Sequence, residues 1–240
     1  MNLTIDQGNT AVKVGVFDGD ALVSSSRFVC LGENQVDQLL ASYPIEAAIV
    51  STVGDSSKLA IGYLQQRCRR FVRFSSQTPI PLSNLYETPS TLGVDRLASC
   101  VGANFLLPNT NLLVVDMGTC ITLDIVTASG SFLGGNISPG MAMRFKALHQ
   151  YTNALPLVSP EEGVPLFGTN TNDAILSGVV QAIVYELEGY CRHLSLKYPN
   201  LSLYLTGGDA FFFEKRLKSS IFVNPNLLLI GLNRILQFNA

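Results

Sequence analysis

The sequence predicts an α/β protein built from two related halves, each a mixed sheet flanked by helices. One observation is a pattern that occurs twice: Asp6-x-Gly8 and Asp116-x-Gly118 each follow an apolar strand and open a hairpin. A second is that both halves open with a three-stranded meander and continue with helix and strand units. The repeat is 110 residues long, which excludes a solenoid. Two halves of this kind predict a ligand site in the cleft between them.

The first half is predicted to begin with three strands joined by two turns, over residues 2–29. Val12, Val14 and Val16 alternate with other residues, which is the period of a half-buried strand. The elements predicted next are a helix at 33–42, a strand at 46–51, a helix at 56–67, a strand at 70–74, a polar connection at 75–92 and a helix from Gly93 towards Phe105. Pro108-Asn109 ends that helix, so we place a domain boundary between residues 109 and 110.

The second half is predicted to repeat this opening. Its predicted elements are strands at 111–116, 121–126 and 131–137, a helix from about 140, a loop at 155–170, a helix at 172–195, a strand at 201–206 and two short terminal helices. The loop is rich in proline and glycine, and Gly207-Gly208 predicts a turn after the last strand.

Composition excludes several classes of protein. The 240 residues carry a formal net charge of −2 without a basic stripe, which predicts no nucleic-acid partner. The five cysteines form no CxxC pair, which argues against a disulfide framework or a zinc site and favours a reducing cytosol. No apolar run reaches the ~18 residues of a membrane span, and Asp6 interrupts any secretory leader, so we expect a cytoplasmic protein. The absence of GxxxxGK[ST] excludes the P-loop kinases.

Two acidic turns are the first candidates for chemistry: residues 6–10, the first acidic turn, and residues 116–119, the second acidic turn. A strand-ending carboxylate can hold Mg²⁺, directly or through water, because this ion prefers oxygen ligands. The adjacent glycine lets backbone N–H groups approach a phosphate. The candidates are Asp6, Gly8, Asn9, Thr10, Lys13, Asp116, Gly118 and Thr119. A single such turn favours a plain hairpin, whereas two copies at matching places favour a function.

Asp95 lies where the helix after residue 92 begins, in the segment LGVDR. An aspartate in the first turn of a helix stabilises the macrodipole and needs no other reason to be there. The alternative is a general base that takes the proton of an acceptor hydroxyl during phosphoryl transfer. The residues alone leave both interpretations open.

Two glycine motifs could face a nucleotide. Residues 134–140 (GGNISPG) enter a helix whose free N–H groups can bind an anion, or they form an ordinary strand-to-helix turn. Residues 206–209 (TGGD) would let backbone lie flat against an adenine, or they form a tight turn with Asp209 as N-cap. By the same reasoning Thr171 is a helix cap and Tyr86 is an aromatic packed on a loop.

These motifs, in this order, resemble type III pantothenate kinase, a family of the acetate and sugar kinase, heat-shock chaperone and actin superfamily. The matching segments span essentially the whole chain: DQGNTAVK at 6–13, Tyr86, LGVDR at 92–96, VDMGTCITLD at 115–124, GGNISPG at 134–140, the Thr171 segment and LTGGDA at 205–210. A small departure is Cys120, where alanine is expected in many relatives. The resemblance implies two actin-like (ribonuclease H-like) domains, 1–109 and 110–240, with the active site in the interdomain cleft.

The resemblance also implies an activity: ATP-dependent phosphorylation of pantothenate to 4′-phosphopantothenate, the first step of coenzyme A biosynthesis. It makes Asp95 the catalytic base. The residues implied for pantothenate are Tyr86, Gly93, Val94, Asp95, Arg96 and Thr171. Those implied for ATP are Asp6, Gln7, Gly8, Asn9, Thr10, Ala11, Val12, Lys13 and Thr119. Mg²⁺ is expected at Asp6 through water and a monovalent cation, K⁺ or NH₄⁺, at Asp116. A homodimer is expected, with the acceptor pocket completed by the neighbouring subunit.

Two other interpretations stay open. The acceptor could be a sugar or a short carboxylate, because a fold does not fix a substrate. The chain could also be a non-enzymatic nucleotide-binding regulator or an actin-like assembly module. The presence of Asp95 together with both acidic turns argues against a decayed site.

Overall fold

The computed structural model describes residues 1–8, 11–52 and 58–240, which form two compact units. The first unit comprises Met1–Asn109, Ala128–Leu133 and Asn226–Ala240. The second comprises Thr110–Thr127 and Gly134–Pro225. The first unit therefore takes in two segments from the second half of the sequence, and the predicted domain limits, 1–109 and 110–240, stay a prediction.

Eleven strands and seven α-helices are found in the described part of the chain. The strands are β1 (Asn2–Gln7), β2 (Val12–Asp18), β3 (Ala21–Phe28), β4 (Ala47–Thr52), β5 (Arg70–Arg73), β6 (Ser83–Asn84), β7 (Leu112–Met117), β8 (Cys120–Val126), β9 (Ser131–Pro139), β10 (Ser202–Thr206) and β11 (Ile221–Val223). The helices are α1 (Glu33–Ser42), α2 (Lys58–Gln65), α3 (Val94–Leu106), α4 (Met141–Gln150), α5 (Thr171–Lys197), α6 (Ala210–Glu214) and α7 (Leu227–Phe238). None of the helices in this part of the chain combines the length and the apolar character that a bilayer crossing requires.

The sheet of the first unit has the strand order β3-β2-β1-β4-β5. β1 runs antiparallel to β2 and parallel to β4, as expected for a hairpin followed by a helical crossover. Alternate residues of β1, Leu3 and Ile5, face a core shared with Val36 of α1 and Leu64 of α2. Burial of each such side chain contributes about 1.5–3 kcal/mol, which fixes the register of β1.

The opposite face of this sheet is covered by α7. Asn2 of β1 donates to Asn233 Oδ1 of α7 at 2.9 Å, and Asn233 Nδ2 in turn donates to Gly19 O at 2.9 Å. Helix α7 also packs along α3, the helix that carries Asp95. The last helix of the sequence therefore supports both the first sheet and α3.

The second sheet has the order β11-β10-β7-β8-β9-β6, so five of its strands repeat the order of the first sheet. β7 is antiparallel to β8 and parallel to β10, just as β1 is to β2 and β4. Leu113, Val115 and Met117 of β7 face a core that α4, α5 and α6 complete. The internal repeat predicted from the two acidic turns is thus present as a repeated sheet topology.

Two short strands, β6 and β11, were not predicted from the sequence. β6 has two residues and pairs with Ser131 and Phe132, inside the segment predicted as an extended connection. β11 has three residues and pairs with β10, between what were predicted as two consecutive terminal helices. Strands this short show no measurable periodicity, and only their pairing partners identify them.

Candidate active site

The first acidic turn joins β1 to β2. Asp6 is the penultimate residue of β1 and lies directly opposite Lys13 of β2. Gly8 is exposed, and its N–H donates to Ala11 O at 3.1 Å, which closes the turn. The predicted ligands Asn9 and Thr10 lie outside the described residues. Gln7 and Val12 are buried, and Val12 belongs to the core, so a ligand would meet its backbone rather than its side chain.

A row of polar residues crosses the first sheet at the level of Asp6. In register, Arg27 of β3 is paired with Lys13, Lys13 with Asp6, and Asp6 with Ser51 of β4. Residues paired across strands share a face, so Lys13 is the direct neighbour of the carboxylate on that face and Arg27 follows one strand further out. Arg27 is exposed and was not predicted; its register with Lys13 becomes evident only once β2 and β3 are paired.

The second acidic turn joins β7 to β8, is two residues shorter than the first, and repeats the position of the carboxylate. Asp116 is the penultimate residue of β7, as Asp6 is of β1. Gly118 N–H donates to Cys120 O at 3.0 Å, and Gly118, Thr119 and Cys120 are all exposed. The two acidic turns therefore present a carboxylate and an open glycine at equivalent strand ends.

The GGNISPG segment supports the second acidic turn. Gly140 N–H donates to Thr119 O at 3.0 Å, and a Cβ on Gly140 would lie 2.3 Å from Gly118 O. Such a contact requires glycine, so Gly140 serves close packing and its N–H is already used. The predicted anion site at this helix start accordingly has one donor fewer than sequence analysis expected.

The two glycines of the TGGD segment have different environments. Gly207 has φ +92°, and a Cβ there would lie 2.5 Å from Asp116 Oδ1, so glycine is needed to let β10 end against Asp116. A Cβ on Gly208 would meet nothing within 4 Å, and Gly208 is exposed. Only Gly208 is therefore available to face an adenine.

Asp95 lies in the first turn of α3, whose N-cap is Gly93. Its Oδ1 accepts a hydrogen bond from Arg96 N at 2.9 Å, and a Cβ on Gly93 would lie 2.5 Å from the same oxygen. The carboxylate is half-buried, and the packing of α3 against α7 fixes the backbone that carries it. This geometry suits either a macrodipole contact or a positioned base.

Tyr86 and Arg96 lie close together in the first unit. The guanidinium carbon of Arg96 lies 5.7 Å from the centroid of the Tyr86 ring, within cation–π range. The Tyr86 ring also lies 6.2 Å from that of Phe132. Arg96 is buried, which is unusual for a charged side chain and requires compensating contacts. Tyr86, Asp95 and Arg96 thus form one polar and aromatic cluster.

Thr171 is the first residue of α5 and is exposed, in the second unit. The helix cap is its neighbour: Asn170 Oδ1 accepts from Asp173 N at 3.0 Å. The Thr171 hydroxyl is therefore not needed for capping. Asp116 and Thr119 also belong to the second unit, whereas the first acidic turn belongs to the first.

Three polar residues of the second unit were not singled out as site residues. Asp124 is buried in β8, and a Cβ on Gly135 would lie 2.7 Å from its Oδ1. Arg144 of α4 bonds to Glu186 and to the backbone before the helix. Burial raises the pKa of the Asp209 carboxyl, beside Gly208. A carboxylate inside the apolar strand segment 121–126 was the one available signal, and it points to Asp124.

The carboxylates do not form a self-sufficient metal centre. No group of three or more His, Cys, Asp or Glu side chains that could hold a metal occurs among the described residues. Each acidic turn instead offers one strand-ending carboxylate. This donor set suits Mg²⁺, which binds through one or two carboxylates and fills its other positions with water and phosphate oxygens.

Comparison with known proteins finds relatives that match this chain over almost its whole length. A protein from Phocaeicola vulgatus named type III pantothenate kinase is 45% identical over 239 residues, covering 100% of this chain and 99% of its own. A solved Campylobacter jejuni protein, described as a Baf family transcriptional activator, has a TM-score of 0.63 at 24% identity and covers 99% and 98% of the two chains. Glucokinase from an Antarctic psychrotroph has a TM-score of 0.55 at 15% identity and covers 100% and 99%.

The structural likenesses confirm the predicted fold class, an actin-like arrangement of mixed sheets flanked by helices. The family model for type III pantothenate kinase matches residues 2–193. This match runs from β1 into α5 and includes both acidic turns, Asp95 and Thr171. The chain belongs to the type III pantothenate kinase family.

Proposed function

We propose that this chain transfers the terminal phosphoryl group of ATP to the primary hydroxyl of pantothenate, giving 4′-phosphopantothenate for coenzyme A biosynthesis. Membership of a kinase family supports ATP as the donor. The observation that carries the proposal is the repeated construction: Asp6 and Asp116 occupy the same position of the same strand in two sheets of matching order. Two such turns suit a polyphosphate, which needs backbone donors and counter-charge at more than one point.

The acidic turns have distinct proposed roles. Residues 6–13 bind the ATP phosphates, with Lys13 neutralising charge and Asp6 holding Mg²⁺ through water. Thr119 contributes a further contact to ATP, and Asp116 holds K⁺ or NH₄⁺. When bound, these ions would neutralise the charge that builds up on the transferring phosphoryl group. Gly8 and Gly118 are exposed and have no side chain, so a phosphate can approach both turns closely, which supports this assignment. Their own N–H groups already donate to Ala11 O and Cys120 O, so the phosphate would be bound by other groups of the turns.

Asp95 is proposed to act on the acceptor. Its carboxylate orients the primary hydroxyl of pantothenate and takes its proton as the phosphoryl group is transferred. Tyr86, Gly93, Val94, Arg96 and Thr171 are proposed to bind the rest of the molecule. The buried Arg96 suits the pantothenate carboxylate, because a guanidinium can pair with a carboxylate through two parallel hydrogen bonds.

A homodimer in the cytoplasm is proposed as the working form. The second unit exposes several large apolar side chains near the end of β9, in α4 and in the segment between α4 and α5: Ile137, Met143, Tyr151, Leu157, Leu166 and Phe167. Phe167 is 81% exposed and Tyr151 is 87% exposed. Contact of this apolar surface with water is unfavourable, and a subunit interface would bury it. Sedimentation would test this, and a monomer at micromolar concentration would contradict it.

The direct test is ADP release by the purified chain with ATP and Mg²⁺, with and without pantothenate and with and without K⁺. We expect release that depends on pantothenate and increases with K⁺. Release that depends instead on a sugar or a short carboxylate would assign a different acceptor. ATP-dependent filaments without acceptor-dependent release would indicate an assembly module.

The role of Asp95 is tested by Asp95→Asn. We expect kcat to fall about 10²- to 10⁴-fold while ADP binding changes little, because the amide keeps the shape but cannot take a proton. Asp18→Asn is the matched control, since Asp18 is an exposed carboxylate at the end of β2. Near-normal turnover in Asp95→Asn would refute the base.

A further inference from the structure

Arg144 is a cation at the unfavourable end of a helix. It lies in the first turn of α4, where the macrodipole is positive and a carboxylate would be preferred. Its guanidinium turns back towards the segment before the helix. Nε donates to Pro139 O at 2.8 Å, and Nη2 donates to Ser138 Oγ at 3.3 Å and to Glu186 Oε2 of α5. Its contacts, rather than helix stability, explain why an arginine stands here.

The segment that Arg144 holds is the support of the second acidic turn. Gly140 directly follows Pro139, donates to Thr119 O at 3.0 Å and packs against Gly118 O. A Cβ at Gly140 would lie only 2.5 Å from Thr119 O, so the two backbones are already in contact. Any shift of Ser138–Gly140 is therefore passed directly to Gly118 and Thr119.

The ion pair between Arg144 and Glu186 is expected to add little to the stability of the folded protein. The side chains of Arg144 and Glu186 are 19% and 22% exposed, so both charges have lost much of their hydration. Desolvation offsets most of the attraction in such pairs, whereas the planar guanidinium fixes the geometry of several partners at once. These contacts suit a guanidinium that holds the segment before α4 in place.

We propose that Arg144 is a positioning residue for the phosphate-binding turn at Gly118–Thr119. Glu186 anchors the guanidinium to α5, the guanidinium holds Ser138–Gly140, and this segment fixes the backbone of the second acidic turn. The inference rests on the proposed function, in which Thr119 contacts ATP. On this proposal the affinity for the nucleotide depends on Arg144, although Arg144 does not contact the nucleotide.

The test uses Arg144→Met, Arg144→Lys and Glu186→Gln in the full chain. Dissociation constants for ADP are measured by calorimetry, and KM is measured separately for ATP and for pantothenate. We expect Arg144→Met to raise the ADP dissociation constant and the KM for ATP on the order of 2- to 30-fold. The KM for pantothenate should stay within about twofold. Arg144→Lys and Glu186→Gln should give intermediate values, because each keeps part of the contact.

Arg216→Met is the matched control. Arg216 also bonds two backbone carbonyls of the second unit, Phe212 O and Glu162 O, and its guanidinium carbon lies 3.7 Å from the Phe212 ring centroid. Its loss should lower the melting temperature without changing either KM.

The double variant Arg144→Met/Glu186→Gln tests whether the two residues affect ADP binding through the same segment or independently. Because both residues act through the same segment, the double variant should weaken ADP binding no more than Arg144→Met does. If Arg144→Met and Glu186→Gln lower only the melting temperature, as Arg216→Met does, the inference is wrong. Failure of the proposed function would look different, because wild-type chain would then show no pantothenate-dependent ADP release.

Discussion

Gly102 of α3 lies directly against Leu227 of α7: a Cβ on Gly102 would come within 2.2 Å of Leu227 O. The contact is reciprocal, since a Cβ on Gly231 of α7 would lie 1.7 Å from Ala98 O. The two helix backbones therefore meet without intervening side chains. Because α3 carries Asp95 in its first turn, this crossing sets the position of the proposed base.

Gly102→Ala should destabilise the protein by about 1–3 kcal/mol, because the added methyl group has no space and must push α3 from α7. Gly178→Ala is the control. Gly178 lies in α5 with nothing within 4 Å of an added Cβ, so alanine there should stabilise by up to about 1 kcal/mol. Urea unfolding measures both changes. Equal effects of the two substitutions on the free energy of unfolding would show that the α3–α7 contact has room for a methyl group at Gly102.

Asp116→Ala should abolish activation by K⁺, because the side chain proposed to hold the cation is removed. Initial rates with KCl and with choline chloride at equal ionic strength measure the effect. Glu214→Ala removes an exposed carboxylate at the end of α6 in the same unit and should leave the K⁺ response intact. An unchanged K⁺ response in Asp116→Ala would refute the cation site.

Alkylation of Cys120 by N-ethylmaleimide should inactivate the enzyme. Cys120 is exposed and directly follows Thr119, so the adduct would fill the space that the ATP phosphates are proposed to occupy. Bound ADP should slow the loss of activity, and Cys120→Ala should resist it. Cys30 is also exposed but lies after β3, so Cys30→Ala should remain sensitive. Equal sensitivity of the wild type and Cys120→Ala would contradict this placement of the nucleotide.

Asp209→Asn should stabilise the protein at neutral pH. Burial raises the pKa of the Asp209 carboxyl above its ordinary value of 3.8, so the folded state disfavours the charged form. The stability that this group contributes is therefore present below pH 3.8 and is lost as pH rises through the folded-state pKa. The variant, which cannot ionise, should melt at a higher temperature than the wild type at pH 7, and this gain should vanish below pH 3.8. A gain that is constant with pH would have another cause.

The sequence predicted most of the fold because most elements carry a strong local signal. The meander at β1–β3 was evident from alternating valines, and the register that faces Asp6 with Lys13 follows from the short turn between them. The three-residue β11 was missed because its evidence lies in its pairing with β10, far away in sequence. Local patterns cannot report such pairing.

The residues of the candidate site likewise fall into those with a local sequence signal and those that depend on distant partners. Asp6, Asp95 and Asp116 could be recognised from the sequence because each lies two residues from a glycine, at the end of a predicted strand or the start of a predicted helix. Arg144 is not readable, because its partner Glu186 lies 42 residues away and only the packing of α4 on α5 brings them together. For Gly207 the sequence left two interpretations open, an adenine contact and a tight turn. Its positive φ and its packing against Asp116 show that the turn requires glycine at this position.

Helix α7 has a consequence for biogenesis. It covers the first sheet and packs on α3, yet it is translated only after the whole of the second unit. On the ribosome the growing chain must carry an exposed β1–β4 surface through the synthesis of more than a hundred further residues. The unit that holds Asp95 can therefore be completed only after the second unit has been synthesised.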